Sequence, residues 1–156
     1  MTSLIVRRAE SADAEILTEF NCCLALETEN KALNRETVLA GVRRGLSVGD
    51  EVQYWVAEHE EPEGWKVVGQ LMLTREWSDW RNGWMVWLQS VYVHENYRRS
   101  GVFRTLFERV AQHARSQAEN VAFRLYVEHE NEHAISTYTR LGFGNAGYLV
   151  MEMPIL

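Results

Sequence analysis

From Trp84 to Val93 the chain reads WMVWLQSVYV, with Val86, Trp87, Leu88, Val91, Tyr92 and Val93 apolar at both odd and even positions. A run that is apolar on both faces predicts a strand inside a sheet rather than at its edge. A polar turn follows at His94 to Tyr97, then the basic, small-residue segment Arg98-Arg99-Ser100-Gly101. Beyond it the period changes. Val102, Phe103, Leu106, Phe107, Val110 and Ala114 fall three or four apart, which predicts one buried face of a helix.

The same reading places elements along the rest of the chain. Leu4 to Arg8 predicts a first strand. Ser11 or Asp13 caps a helix whose stripe is Ile16, Leu17, Phe20, Cys23 and Leu24, and which bends or ends within Ala25 to Lys31. Asn34 caps a second helix, with Leu33 and Val38 at staple positions, Val38, Leu39 and Val42 inward, and Gly45 as its stop. Val52 to Glu58 and Lys66 to Arg75 predict a hairpin around Glu60 to Gly64, and Asn82-Gly83 signals the next hairpin. Val121 to Glu128 predicts a strand, Asn131 to Leu141 a helix closed by Gly142, and Tyr148 to Met153 a last strand. The order β-α-α-β-β-β-α-β-α-β describes a mixed sheet covered by helices, an α/β (α+β) class.

Length and charge narrow the picture. At 156 residues, without repeats or a linker, positions 1–156 are expected to form one domain with a full core. No apolar run approaches the roughly 20 residues that span a bilayer, and MTSLIVRRAESAD lacks the layout of a signal peptide. Cys22 and Cys23 are adjacent, form neither a metal spacing nor a disulfide framework, and suit a reducing cytoplasm. A formal net charge of −6 argues against nucleic acid or anionic membrane as a partner. Arg98, Arg99 and Arg104 are therefore a local basic spot on an acidic protein.

A helix N-terminus carries unpaired N–H groups and partial positive charge, so the turn before Val102 suits a phosphate, with Gly101 permitting close approach. An ordinary strand-to-helix turn with solvated arginines is the alternative. His129 and His133 lie four apart, but Asn131 starts the helix between them, so they share no helical face and no metal is expected.

Two segments together resemble a family. VYVHENYRRSGVFR (Val91 to Arg104) and NEHAISTYTRLGF (Asn131 to Phe143), on elements in this order, resemble the GNAT N-acetyltransferase superfamily over essentially the whole chain. Arg98, Gly101 and Phe103 occupy the places of its Arg/Gln-x-x-Gly-x-Gly/Ala loop, Phe103 being the departure. Asn131, Ala134, Tyr138, Gly142 and Phe143 match its Asn-x-x-Ala-x-x-x-Tyr-x-x-x-Gly-Phe pattern.

The resemblance implies a mostly antiparallel mixed sheet of about six or seven strands with four helices, the acyl-CoA N-acyltransferase fold. It implies acetyl-CoA as donor, held by the backbone of Val91, Tyr92 and Val93 and by Arg98, Arg99, Ser100, Gly101, Val102, Phe103 and Arg104. Val91 to Val93 would splay from the next strand so that the pantetheine arm pairs with backbone, while a strand N–H steadies the oxyanion. Phe103 fits the apolar stripe of its helix, so its ring is expected to face the core. Tyr138 is implied as general acid for the thiolate, a phenol of ordinary pKa about 10 being matched to that task; a packed helix tyrosine is the alternative. Asn131 bonds the donor or caps its helix.

Many members place a Glu as base near the end of the central strand; here Gln89 and Ser90 stand there. Glu27 and Glu29 are the substitute base candidates and acceptor contacts, or else solvated helix-end charges. Trp77, Trp80, Trp84 and Trp87, interleaved with Glu76 and Asp79, suit a cationic amine, with Trp77 and Trp80 as acceptor contacts. Packing or an interface is the competing use. The function expected is acetyl transfer to a small cationic amine by a cytoplasmic protein, with a homodimer implied by the family. Acetyl-CoA binding without turnover, or transfer to a protein amine, are the alternatives.

Overall fold

Alternation along a strand sends successive side chains to opposite faces, and Tyr54, Trp55 and Val56 show where those faces lead. Tyr54 and Val56 join a buried cluster with Ala14, Leu17 and Val42, whereas the Trp55 ring lies 5.1 Å from His113 and under Arg109. The first set belongs to two helices of the N-terminal half and the second to the later long helix. Helices therefore cover both faces of one sheet.

The computed structural model describes residues 3–155. Its strands are β1 (Leu4–Arg8), β2 (Gln53–Glu61), β3 (Gly64–Ser78), β4 (Gly83–Val93) and β5 (Asn120–Leu125). Its α-helices are α1 (Ala14–Glu29), α2 (Arg35–Ser47), α3 (Val102–Arg115) and α4 (Glu132–Arg140). The sheet order is β1-β2-β3-β4-β5, antiparallel until β4, with β5 parallel to β4. The parallel step follows from connectivity, because α3 fills the crossover that parallel neighbours require. The chain divides into two compact units, Met1–Tyr126 with the sheet and α1 to α3, and Val127–Leu156 with α4.

Several expectations hold. β4 is an interior strand, and α3 buries Val102, Leu106, Phe107, Val110, Ala111 and Ala114. Asn34 caps α2 by accepting from the Thr37 N–H at 2.9 Å. Asn82, with φ of 48°, turns the β3–β4 hairpin, setting Trp77 opposite Trp84.

Others are corrected. Among the described residues the sheet has five strands rather than six or seven. Tyr148 to Met153 forms no strand; the run is exposed, and β-prone composition alone does not make a strand. The expected end of α1 within Ala25 to Lys31 does hold: the helix runs to Glu29 and closes at Asn30 in the left-handed region. Neither Ser11 nor Asp13 caps α1 with its side chain. The Asp13 carboxylate instead accepts from Arg7 at 2.8 and 3.0 Å and from the Glu10 N–H at 2.7 Å. Gly45 lies inside α2, which runs on to Ser47, and its role is steric: a Cβ there would stand 2.9 Å from the buried Tyr54 ring.

Gly83 is more tightly enclosed. A Cβ would collide with Val121 and approach the Glu119 carbonyl oxygen to 2.6 Å. Gly41, on the exposed side of α2, would meet nothing within 4 Å. Gly83→Ala is therefore expected to destabilise the protein by roughly 3 kcal/mol and lower Tm by about 10 °C. Gly41→Ala is expected to add about 0.5–1 kcal/mol through helix propensity. Thermal unfolding of the two variants beside the parent checks both signs.

Candidate functional site

The β3–β4 ladder skips a step near the end of β4. Gln70 stands opposite Tyr92 and Met72 opposite Gln89, so Ser90 and Val91 share the single residue Leu71. Ser90 absorbs the extra residue in the left-handed region, with φ of 52°. Beneath it lies Gln70, fully buried, whose Nε2 donates to the Ser90 carbonyl at 3.0 Å and to Asn21 Oδ1 at 3.1 Å. The pairing of β4 with β5 covers only Trp84 to Leu88, against Asn120 to Leu125. From Gln89 to Val93, β4 continues with β3 alone.

The chain then turns into α3. The His94 N–H donates to the Val68 carbonyl at 2.9 Å, and a 3-10 turn follows at Glu95–Tyr97. Tyr97 donates to Glu61 at 2.7 Å, tying this turn to the end of β2. Arg99 (φ 63°) and Gly101 (φ 84°) both adopt left-handed backbone, and Ser100 Oγ donates to the Tyr97 carbonyl at 2.5 Å. Thr105 is the first α3 residue whose N–H returns to a carbonyl of this turn, that of Gly101 at 2.9 Å; helix geometry gives the earlier amides no such acceptor. A Cβ on Gly101 would meet nothing within 4 Å, so the turn is open on that side.

The predicted loop side chains do not all face this opening. Arg104 pairs along the helix with Glu108 at 2.9 Å. Phe103 is half-buried, not in the core, and its ring lies 6.1 Å from Phe107, which in turn packs against Phe123. Arg98 points back: Nε donates to the Val93 carbonyl at 2.9 Å and Nη2 to Glu27 at 2.5 Å. The other Glu27 oxygen accepts from the Tyr92 hydroxyl at 3.0 Å. Burial, then the Glu27 carboxylate, push the Tyr92 phenol well above its usual range. Glu29 sits at the exposed end of α1.

The tryptophans that look clustered in sequence are divided by the sheet. Trp77 and Trp84 form an edge-on pair, with Arg75 over Trp84 at 4.3 Å. Trp87 points to the opposite face, donates to Glu76 at 2.9 Å and stacks 4.5 Å from Tyr126. Trp80 projects from the hairpin turn, 87 % exposed. The α1 side of the sheet, where Glu27 lies, thus holds Trp87 and not Trp77.

In the second unit, Asn131 caps α4, accepting from the Ala134 N–H at 3.2 Å. Tyr138 lies 5.8 Å from Phe143, and burial pushes its phenol above the ordinary value. Among the described residues no three His, Cys, Asp or Glu side chains converge as a metal site. No helix of the described chain is long and apolar enough to cross a membrane.

Gln70 is the residue that sequence reading passed over. Its signal was available: an amide inside KVVGQLMLTR, in a strand core, demands buried partners. The bulge it supports left none, because Ser90 is neither glycine nor asparagine.

The acetyltransferase (GNAT) family pattern matches residues 15–143. A possible acetyltransferase from Clostridium difficile 630 is 38% identical, with 98% of each chain covered and a TM-score of 0.88. An aminoglycoside acetyltransferase from an uncultured soil metagenomic sample (19% identity, 99% of each chain, TM-score 0.74) shares the fold. So does glucosamine-6-phosphate N-acetyltransferase from Arabidopsis thaliana, at 20% identity, with 97% of this chain and 98% of that one covered and a TM-score of 0.72. No curated protein sequence matches. With the family pattern spanning α1 to the end of α4, and a 38% identical structure superposing over nearly its full length, the chain belongs to the acetyltransferase (GNAT) family and is a transferase enzyme.

Proposed function

We propose that the protein moves the acetyl group of acetyl-CoA to a primary amine by direct attack, with a small cationic amine as acceptor. The observation that carries this reading is the end of β4: five residues, Gln89 to Val93, that run past the last β5 pair and lead straight to the open turn at Gly101. A strand with one side outside the ladder offers main-chain groups to an amide-bearing arm, as sheets do to added strands. The first turn of α3, reached through two left-handed residues, offers amides and helix dipole to a diphosphate. Acetyl-CoA supplies an activated thioester and a thiolate leaving group.

The chain's own part is positioning and charge. Backbone N–H groups near the bulge steady negative charge as it gathers on the thioester oxygen. The neutral amine nitrogen forms the new C–N bond as the C–S bond breaks and releases its extra proton to water, while the departing sulfur takes a proton from Tyr138, the residue that the resemblance implies as acid, which regains one from solvent. Burial raises that phenol, so it keeps its proton throughout the neutral and mildly basic range. The acidic net charge supports a cationic acceptor. Exposed Trp80 supports a second reading, a protein amine docked on the β3–β4 hairpin. The assembly we propose is a homodimer in the cytoplasm, whose reducing conditions suit free Cys22 and Cys23.

Calorimetric titration with acetyl-CoA is expected to show binding by the parent and none by Gly101→Glu. The variant places a carboxylate where phosphate would sit and strains a φ of 84°, but it has room to fold. No binding by the folded parent would overturn the donor assignment. Tyr138→Phe is expected to lower kcat by roughly 100-fold while donor affinity changes less than about threefold. On its basic side the parent's profile should fall above about pH 10, as the raised phenol finally loses its proton, and the variant should lack that limb. An amine panel followed by thiol release ranks polyamines and amino sugars above peptides on the first acceptor reading, and below them on the second.

A further inference from the structure

Near the end of α1, one carboxylate bridges two structures far along the chain. Glu27 Oε1 accepts from Tyr92, 65 residues on, and Oε2 from Arg98, 71 residues on. Tyr92 is the second residue past the Ser90 bulge, its ring is buried 5.0 Å from Phe20 of α1, and the Arg98 guanidinium lies 5.4 Å from its centre. Arg98 also holds the Val93 carbonyl at 2.9 Å. Strand end, turn and helix are thus pinned at one point, through charge-assisted bonds of the stronger kind.

This arrangement bears on what Glu27 does. Both of its oxygens already accept from fixed donors, and a proton arriving at Oε2 would dismantle the ion pair with Arg98. Arg98, for its part, has its Nε and one Nη committed to protein, so its guanidinium acts first as a clamp between Val93 and Glu27. Resting on the donor reading above, we propose that Glu27 is a positioning residue for acetyl-CoA: it sets the spacing between the strand end that takes the pantetheine arm and the turn that takes the phosphates. A donor gripped at two places is bound well only if those places are held apart correctly before it arrives.

The test compares Glu27→Ala, Glu27→Gln and Tyr92→Phe with the parent by three readouts. These are amide hydrogen exchange over residues 94–101 without ligand, calorimetric titration with acetyl-CoA, and steady-state acetylation of a reactive amine across pH. Glu27→Ala is expected to speed exchange in that segment and to weaken acetyl-CoA about tenfold, the size expected for losing a charged hydrogen bond. At saturating donor its kcat should stay within about threefold with an unchanged pH profile. Glu27→Gln, whose amide oxygen still accepts from Arg98, should recover most of the affinity, and Tyr92→Phe should show a smaller loss. A kcat loss of about 100-fold with disappearance of the acidic limb of the pH profile would make Glu27 the base and overturn the assignment. Tighter acetyl-CoA binding by Glu27→Ala would overturn it too, showing a carboxylate that competes with phosphate, as would exchange and affinity both unchanged. A parent that binds no acetyl-CoA overturns the donor reading and with it this role; the exchange comparison alone would then report whether the carboxylate holds the turn.

Discussion

Against Leu71 of β3, strand β4 sets two residues, Ser90 and Val91, where an unbroken ladder would set one. A non-glycine residue in the left-handed region costs on the order of 1–2 kcal/mol, so the bulge persists only because its surroundings hold it. Gln70 does so from below, its buried amide donating to the Ser90 carbonyl, although its own Oε1 finds no partner among the described residues. The bulge bends β4 as β5 ends, and main chain is left for other uses. Bulges recur beside active sites for that reason.

The supports of the bulge come largely from one helix. Asn21 takes the second hydrogen of the Gln70 amide, Phe20 packs on Tyr92, and Glu27 bonds the Tyr92 hydroxyl. All three lie on α1, so α1 must itself be fixed. Its entry is anchored by Arg7 of β1, which grips Asp13 at 2.8 Å and Glu58 of β2 at 2.7 Å. Burial alone would raise the Asp13 carboxyl, but Arg7 and the Glu10 amide outweigh it and hold the group below the usual carboxylate range. The chain of contacts runs from the edge of the sheet, through a helix, to the turn at Gly101.

How much of this was legible in the sequence depended on the range of the interaction. Period, turn residues and caps are local, so β4, α3, the Asn82-Gly83 hairpin and the Asn34 cap could be read directly. Gly45 misled because a glycine that admits the Tyr54 ring looks, in sequence, like one that stops a helix. The tryptophans misled because Trp77 and Trp87 are neighbours in composition but lie on opposite faces of the sheet. The Tyr148 to Met153 run has the composition of a strand, but composition alone does not make one. The candidate site residues split the same way. Gly101 and Arg98 announce themselves by motif, while the partners of Glu27 lie 65 and 71 residues away.

A site made largely of backbone also leaves a faint trace in sequence for a physical reason. On the proposed donor reading, amides of Gln89 to Val93 and of the first turn of α3 do their work under many side chains, provided the bulge and the turn keep their shape. What must be kept is then whatever enforces that shape: a buried Gln70, a left-handed Gly101, a carboxylate at Glu27. These residues look like structure when inspected singly. An acid at Gln89 or Ser90 is therefore not required for positioning, because the terms that position reactants do not depend on those side chains.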